Sequence, residues 1–353
     1  MTESMPPPPS SSPQEAPAAP ALLPVFFFHG VLMNAKSGYH LAAKLAREGR
    51  RFVPLSFCMG KRSAANSIAS QVPLAIAQIR EVMASDRELF ANGYVFIGYS
   101  QGGLLARAVI EEMDDHHVTT FISLAGAVNG IFHGPQARDV LATQLFVSGL
   151  GPDLIPVSVF DFGKFTEDDY HAGTFQQALD DLAREHEVQH QLAFFGLYRS
   201  PVKDAWKASN VLLAELNNVN EAADDEGRTN QQRRRNNFLK LQAAHFFASP
   251  DDGLVVPWQS SILGQYSELD DPKEITTKFN DDQALHVIDT RATVEYKQDT
   301  YGLKTLDKRG GLFLHVLHGV EHISWITDND EFGPNGGTLR FSEIFDKHLQ
   351  QLL

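Results

Sequence analysis

The stretch Val95-Phe96-Ile97-Gly98-Tyr99-Ser100-Gln101-Gly102-Gly103 decides the fold. A short apolar run ends in Gly-x-Ser-x-Gly, and a helical pattern follows at once through Leu104, Leu105, Ala108, Val109 and Met113. The order reads as a strand that stops abruptly, a tight turn that holds Ser100 up, and a helix behind it. A side chain at Gly98 or Gly102 would crowd the neighbouring strand and helix. The helix start lends its free N–H groups and dipole to negative charge forming beside Ser100. Gly and Ser are common residues, so the pentapeptide alone is a weak signal. Its flanks, and two partners downstream, give it weight.

Upstream, Val25 to Phe28 is fully apolar, as expected of a central parallel strand covered on both faces. It ends in His29-Gly30-Val31, where backbone N–H groups can face the elbow; Val31 and Gln101 are the expected oxyanion donors. His29 reads as structural or as an oxyanion-side residue, not as a base. Helical periodicity covers Tyr39 to Glu48 and Ser67 to Ala84, with strand character at Phe52 to Phe57, Val118 to Ala125, Ala243 to Ala248 and Leu312 to Val316. This alternation predicts an α/β fold with a mostly parallel central sheet and helices on both faces. The pattern breaks over about 131–241, with helix-like stretches at Phe175 to His190 and Val211 to Asn220, and reads as a helical cap inserted between sheet strands. Its aromatic residues, Phe160, Phe162, Phe165, Phe194, Phe195 and Tyr198, read mostly as core, with some able to line an acyl channel. The clusters at Asp224 to Gly227 and Arg233 to Arg235 read as solvated surface. Glu268 to about Thr290 reads as a loop excursion, and Phe341 to Leu353 as a terminal helix.

Two downstream loops supply the partners. Ser249-Pro250-Asp251-Asp252-Gly253-Leu254-Val255-Val256-Pro257 follows a late strand and carries the candidate acid, Asp252, with Asp251 as its rival. His318-Gly319-Val320-Glu321-His322-Ile323 follows the last strand; His322, deeper in the loop, is favoured over His318 as the base. The chain order Ser, Asp, His is that of α/β-hydrolases.

Composition sets bounds. The chain has 353 residues, is 43 % hydrophobic and carries a formal net charge of −14. That balance argues against nucleic acid and anionic membrane surfaces as bulk partners. No run is long enough for a transmembrane segment. The Pro-, Ser- and Ala-rich residues 1–20 read as a disordered segment ahead of a single domain over 21–353. Cys58 is the one cysteine and reads as a buried structural thiol.

At this point the chain resembles the palmitoyl-protein thioesterase family from Pro24 onward. Phe28-His29-Gly30 resembles that family's first-strand His-Gly. Gly98 to Gly103, continued by Arg107-Ala108-Val109, is similar to its elbow, and Ser123 to Phe132 to its Gly-rich stretch. Asp252 to Pro257 is similar to its acid loop. Tyr296-Lys297-Gln298-Asp299-Thr300-Tyr301-Gly302-Leu303-Lys304-Thr305-Leu306-Asp307, followed by Glu321-His322, is the most specific likeness, because no generic hydrolase role accounts for it. The resemblance implies a serine hydrolase of long-chain acyl thioesters acting on S-palmitoylated proteins or peptides, and on palmitoyl-CoA. It implies Ser100, Asp252 and His322 as the triad, and no metal or organic cofactor. A carboxylic-ester hydrolase or lipase, or a catalytically silent binding module, are the alternatives. The family resemblance points to the lysosome or secretory pathway. A single cysteine, the absence of any Asn-x-Ser/Thr acceptor and an N-terminus without a basic n-region point instead to a reducing intracellular compartment.

Overall fold

A computed structural model describes residues 22–328 and 338–353. The expected disordered segment, 1–20, lies outside the described residues. Five strands come in chain order first: β1 (Val25–Phe28), β2 (Phe52–Pro54), β3 (Tyr94–Tyr99), β4 (Val118–Leu124) and β5 (Ala243–Ala248). A short pair, β6 (Gln265–Tyr266) and β7 (Val287–Ile288), precedes β8 (Leu312–Val316). The main sheet has the order β2-β1-β3-β4-β5-β8, and every pairing in it is parallel. The helices used below are α1 (Tyr39–Arg47), α2 (Ile68–Ser85), α3 (Gln101–Glu112), α4 (Ala137–Leu145), α5 (Thr174–Ala183), α6 (Asp225–Phe238) and α7 (Phe341–Ile344).

Burial on both faces explains why the central strands lack polar alternation. Phe26, Phe28 and Phe96 point to the face covered by α2 and α3, where the Phe28 and Phe96 ring centroids lie 4.8 Å apart. Val25, Phe27, Val95, Ile97 and Tyr99 point to the opposite face, against α1 and α7. Successive residues thus serve two cores. In register, Phe28 lies beside Gly98 and Gly98 beside Ser123, so three strand ends meet at one level. Their loops share the carboxyl edge of the sheet, where open α/β sheets place their ligands.

Several boundaries differ from expectation. β2 stops at Pro54 instead of running to Phe57, and the chain then turns at Phe57 and Cys58, where Cys58 takes φ 41°. β4 ends one residue early, at Leu124, because Ala125 takes φ 44°. The helix expected over Phe175 to His190 divides into α5 and a short helix, His186–Gln191, because Glu185 between them is extended. Only Leu213–Leu216 of the Val211 to Asn220 stretch is helical; Asn210 Oδ1 accepts from the backbone N–H of Leu212, Leu213 and Ala214 at its start. The terminal helix begins as α7 but continues through a π-turn, Phe345–Leu349, and a 3-10 turn, Gln350–Leu352. The excursion after Glu268 is pinned by the antiparallel β6–β7 pair.

The arginine cluster is not simply solvated. Arg234 is buried, Arg233 pairs with Glu112 and Asp114, and Arg235 pairs with Asp299. These contacts, with Asn237 Nδ2 donating to Glu111 O at 2.9 Å, seat α6 on α3. The aromatic residues of the 131–241 region form a packed cluster: Phe160, Phe162 and Phe165 surround Phe175, and Phe194 stacks on Phe146 at 5.2 Å.

A second polar cluster lies inside the protein. Arg199 donates to Asn129 Oδ1 at 2.9 Å and to Glu295 Oε1 at 2.7 Å, and Asn217 Nδ2 donates to both acceptors at 3.1 Å. Arg107 joins Glu111 at 2.8 Å, donates to Val128 O and Leu216 O, and lies 4.1 Å from the Tyr301 ring centre. Further out, Tyr296 Oη donates to Asp307 at 2.6 Å, and Asp299 accepts from Thr305 and Arg235. With Thr300 Oγ1 donating to Asn217 O at 2.5 Å, the 295–307 run is a clasp binding the 199–217 region to α3 and α6.

Candidate active site

The elbow is built by backbone contact. Ser100 joins β3 to α3 at φ 55°, ψ −127°, a left-handed conformation that costs a non-glycine residue energy. The neighbouring glycines make it possible. A Cβ on Gly98 would stand 2.5 Å from Gly102 O, and one on Gly102 would stand 2.2 Å from Phe28 O. Ser100 N–H donates to Leu124 O at 3.1 Å, fixing the turn to the next strand.

His322 opens a 3-10 turn, His322–Trp325, in the loop after β8. Its Nε2 lies 3.0 Å from Ser100 Oγ and its Nδ1 lies 2.7 Å from Asp252 Oδ2. An ionised carboxylate only accepts, so Nδ1 carries the proton and Nε2 presents its lone pair to the serine hydroxyl. Asp252 is fully buried, and its other oxygen accepts from the N–H groups of Leu254 and Val255 at 2.9 and 3.0 Å. These bonds hold the carboxylate in one orientation. Tyr99 supports the histidine from beneath: its hydroxyl donates to His322 O at 3.1 Å and the ring centroids are 5.0 Å apart. Burial, and then the nearby Asp252 charge, push the Tyr99 phenol well above its ordinary value, so it stays a neutral donor.

The rivals separate cleanly. Asp251 Oδ2 accepts from Gly319 N–H at 2.6 Å and so braces the histidine loop, while His318 is exposed. His29 is buried, with Nδ1 2.9 Å from Gly30 O and Nε2 3.3 Å from Phe57 O. Burial lowers its pKa against the raising effect of those two carbonyls, so the neutral ring braces the turn that carries Val31. The N–H groups of Val31 and Gln101 donate to no protein acceptor among the described residues, whereas Leu32 N–H is taken by Ser63 Oγ at 2.7 Å. Ser63 O also accepts from the Gln101 side chain at 3.0 Å. Sequence reasoning missed Ser63, Tyr99 and Arg138, whose guanidinium donates to the carbonyls of Asp251 and Asp252. Tyr99 lies inside the elbow motif and could have been noticed; Ser63 and Arg138 carry no local signal, because only tertiary contact brings them in.

The palmitoyl protein thioesterase family model matches residues 24–322. The chain belongs to the palmitoyl-protein thioesterase family. It is similar to lysosomal thioesterase PPT2-B of Xenopus laevis, at 27 % identity over 88 % of this chain and 89 % of that one. Human lysosomal thioesterase PPT2 is 26 % identical over 88 % of this chain and 85 % of its own length. Palmitoyl-protein thioesterase 3 of Dictyostelium discoideum is 24 % identical over 84 % of both. A solved monoacylglycerol lipase from Paleococcus ferrophilus aligns over 88 % of this chain and 91 % of its own at 13 % identity and a TM-score of 0.38, so the thioesterases and not the lipase carry the assignment. The protein is thus a thioesterase-type hydrolase with an α/β-hydrolase fold. Among the described residues, no helix is long and apolar enough to cross a membrane.

Proposed function

We propose that the protein is a serine thioesterase that removes long fatty acyl groups from S-acylated proteins or peptides, with Ser100 as nucleophile, His322 as base and Asp252 as its orienting acid. The single observation that supports this most is the unbroken line from Asp252 through His322 to Ser100, at 2.7 and 3.0 Å. In this reading Ser100 Oγ attacks the thioester carbonyl as His322 Nε2 takes its proton. The oxyanion forms where the Val31 and Gln101 N–H groups can reach it; losing one such donor typically costs on the order of 100-fold or more. Collapse expels the thiolate, which His322 protonates. Water, deprotonated by the same histidine, then releases the acid and frees Ser100.

The acyl chain would pack against the apolar side chains of the region from Ile131 onward, each buried CH₂ adding about 0.8 kcal/mol, which favours palmitoyl over acetyl esters. The compartment is a further part of the proposal. With Cys58 buried and unpaired, the fold relies on no disulfide within the chain, which suits a reducing compartment even though the relatives bear lysosomal names. Organelle fractionation tests that.

The functional test is hydrolysis of palmitoyl-CoA, a palmitoylated peptide and a palmitate oxygen ester, side by side with Ser100→Ala. Preference for the thioesters, lost in the variant, is the expected result. Preference for the oxygen ester would assign the same triad to a carboxylic-ester hydrolase. No turnover, together with no labelling of Ser100 by a fluorophosphonate probe, would leave a silent hydrolase fold.

A further inference from the structure

We propose that the apolar edge formed by Leu141, Leu145, Val157, Val159 and Leu254 docks the enzyme on a neutral, zwitterionic lipid surface. The inference deepens the fatty-acyl reading and rests on it for its purpose, since an acyl chain on a protein is held in a bilayer. These five side chains are 38 % to 60 % exposed, and among the described residues only six other large hydrophobic side chains are exposed to this degree. Single exposed apolar residues need no explanation, but a group of them on one short stretch does.

Three observations favour lipid as the occupant. The first is charge. Residues 140–160 contain one ionisable side chain, Asp153, in a chain that is 21 % charged. The protein as a whole carries −14, which repels an anionic bilayer but leaves an uncharged edge free to enter a neutral one. The second is continuity with the catalytic loop. Arg138, Leu141 and Leu145 lie at i, i+3 and i+7 on one face of α4. Arg138 grips the Asp251 and Asp252 carbonyls, and the Leu145 side chain lies 3.8 Å from where a Cβ on Gly253 would stand. Leu254, two residues beyond Asp252, thus extends the edge from α4 to the triad loop. The third is the return of the chain. The Phe146 and Phe162 ring centroids lie 5.8 Å apart, so the short segment that exposes Val157 and Val159 ends beside the turn that follows α4. A bilayer on this edge would meet the enzyme beside the catalytic loop, so an anchored acyl chain could reach Ser100 with little exposure to water.

The test is flotation of the full chain with phosphatidylcholine vesicles, comparing wild type with Leu141→Asp/Val157→Asp. Turnover of a water-soluble short-chain thioester and light scattering are measured on the same samples. Wild type should float with neutral vesicles, and the double variant should lose about 10-fold or more of its partition while short-thioester turnover is unchanged. Val159→Lys provides a second variant should the first fold poorly. Absence of wild-type flotation, flotation with anionic vesicles only, or equal flotation of wild type and variants overturns the proposal. So does a concentration-dependent dimer that the substitutions abolish, which would assign the edge to a second copy of this chain. Docking without thioester turnover would break the functional reading and leave this one standing; turnover without docking would do the reverse.

Discussion

Two buried polar clusters sit in this protein, and they differ in how their hydrogen bonds end. At the elbow the line runs one way, from the backbone N–H groups that fix Asp252, through His322, to the half-buried Ser100 hydroxyl. Around Arg199 the bonds turn inward: Arg199 and Asn217 both donate to Asn129 Oδ1 and Glu295 Oε1, while Asn217 Oδ1 and Glu295 Oε2 are buried with no hydrogen-bond partner among the described residues. An open chain keeps one group available to a substrate. One turned inward fixes geometry and offers nothing. The 296–307 run, singled out in the sequence for its likeness to the family, packs beside the Arg199 cluster through Thr300 and Tyr301 and not beside Ser100.

The comparison can be broken most sharply at its open end. Ser100→Ala should lower kcat by on the order of 10⁶-fold while leaving the melting temperature unchanged within error, as read by thioester kinetics and calorimetry. Asp252→Asn should cost about 10⁴-fold in kcat, because the amide can donate to Nδ1 and favour the wrong tautomer. Arg199→Met should act the opposite way. It leaves Glu295 buried without its charged partner, so denaturant unfolding should show a loss of about 3–5 kcal/mol with little change in kcat per folded molecule. A large kcat defect there, at full stability, would dissolve the distinction between the clusters.

A third carboxylate sharpens the contrast through pH. Asp139 on α4 is pushed up to about 7 by burial, against the lowering effect of hydrogen bonds from Tyr266 and Gln136. A carboxyl whose folded pKa is raised binds its proton more tightly when folded. Its contribution is fully present below about 3.8, the unfolded value, and is lost as pH rises through about 7. The melting temperature should therefore gain on the order of 5 °C from this group as pH falls from 7 to 4, and Asp139→Asn should flatten that component in scanning calorimetry. Glu295 behaves otherwise. Burial raises its pKa, but the Arg199 guanidinium and its hydrogen bonds outweigh this and hold it below the usual value, so its contribution is lost only in stronger acid. The smallest effect is expected at Asp251→Ala, which removes the brace on Gly319 and should lower kcat a few-fold, far less than any change at Asp252.

The meeting of Ser100, His322 and Asp252 was legible in the sequence because each of the three follows a strand. An apolar run closing on Gly98-Tyr99-Ser100 announces a turn, and Asp252 and His322 come just after β5 and β8, where the sheet's carboxyl edge must gather them. The solvated reading of Arg233 to Arg235 failed for a physical reason. Helical periodicity shows which residues share a face, not whether a charged face meets carboxylates on α3 instead of water. The Arg199 cluster escaped notice likewise: Asn129, Arg199, Asn217 and Glu295 are far apart in the chain, and no spacing rule links them. Helix ends were misjudged where a single residue, such as Glu185, turned extended between two apolar stretches.

Cys58 has a practical consequence. It is 4 % exposed, and burial raises its thiol pKa against the lowering effect of Arg62, so it is a poor nucleophile toward alkylating dyes. The native chain is therefore close to a thiol-silent background. A cysteine introduced at Leu141 or Val157 could carry a polarity-sensitive fluorophore without prior removal of Cys58, and its emission would report in real time whether that edge leaves water when vesicles are added.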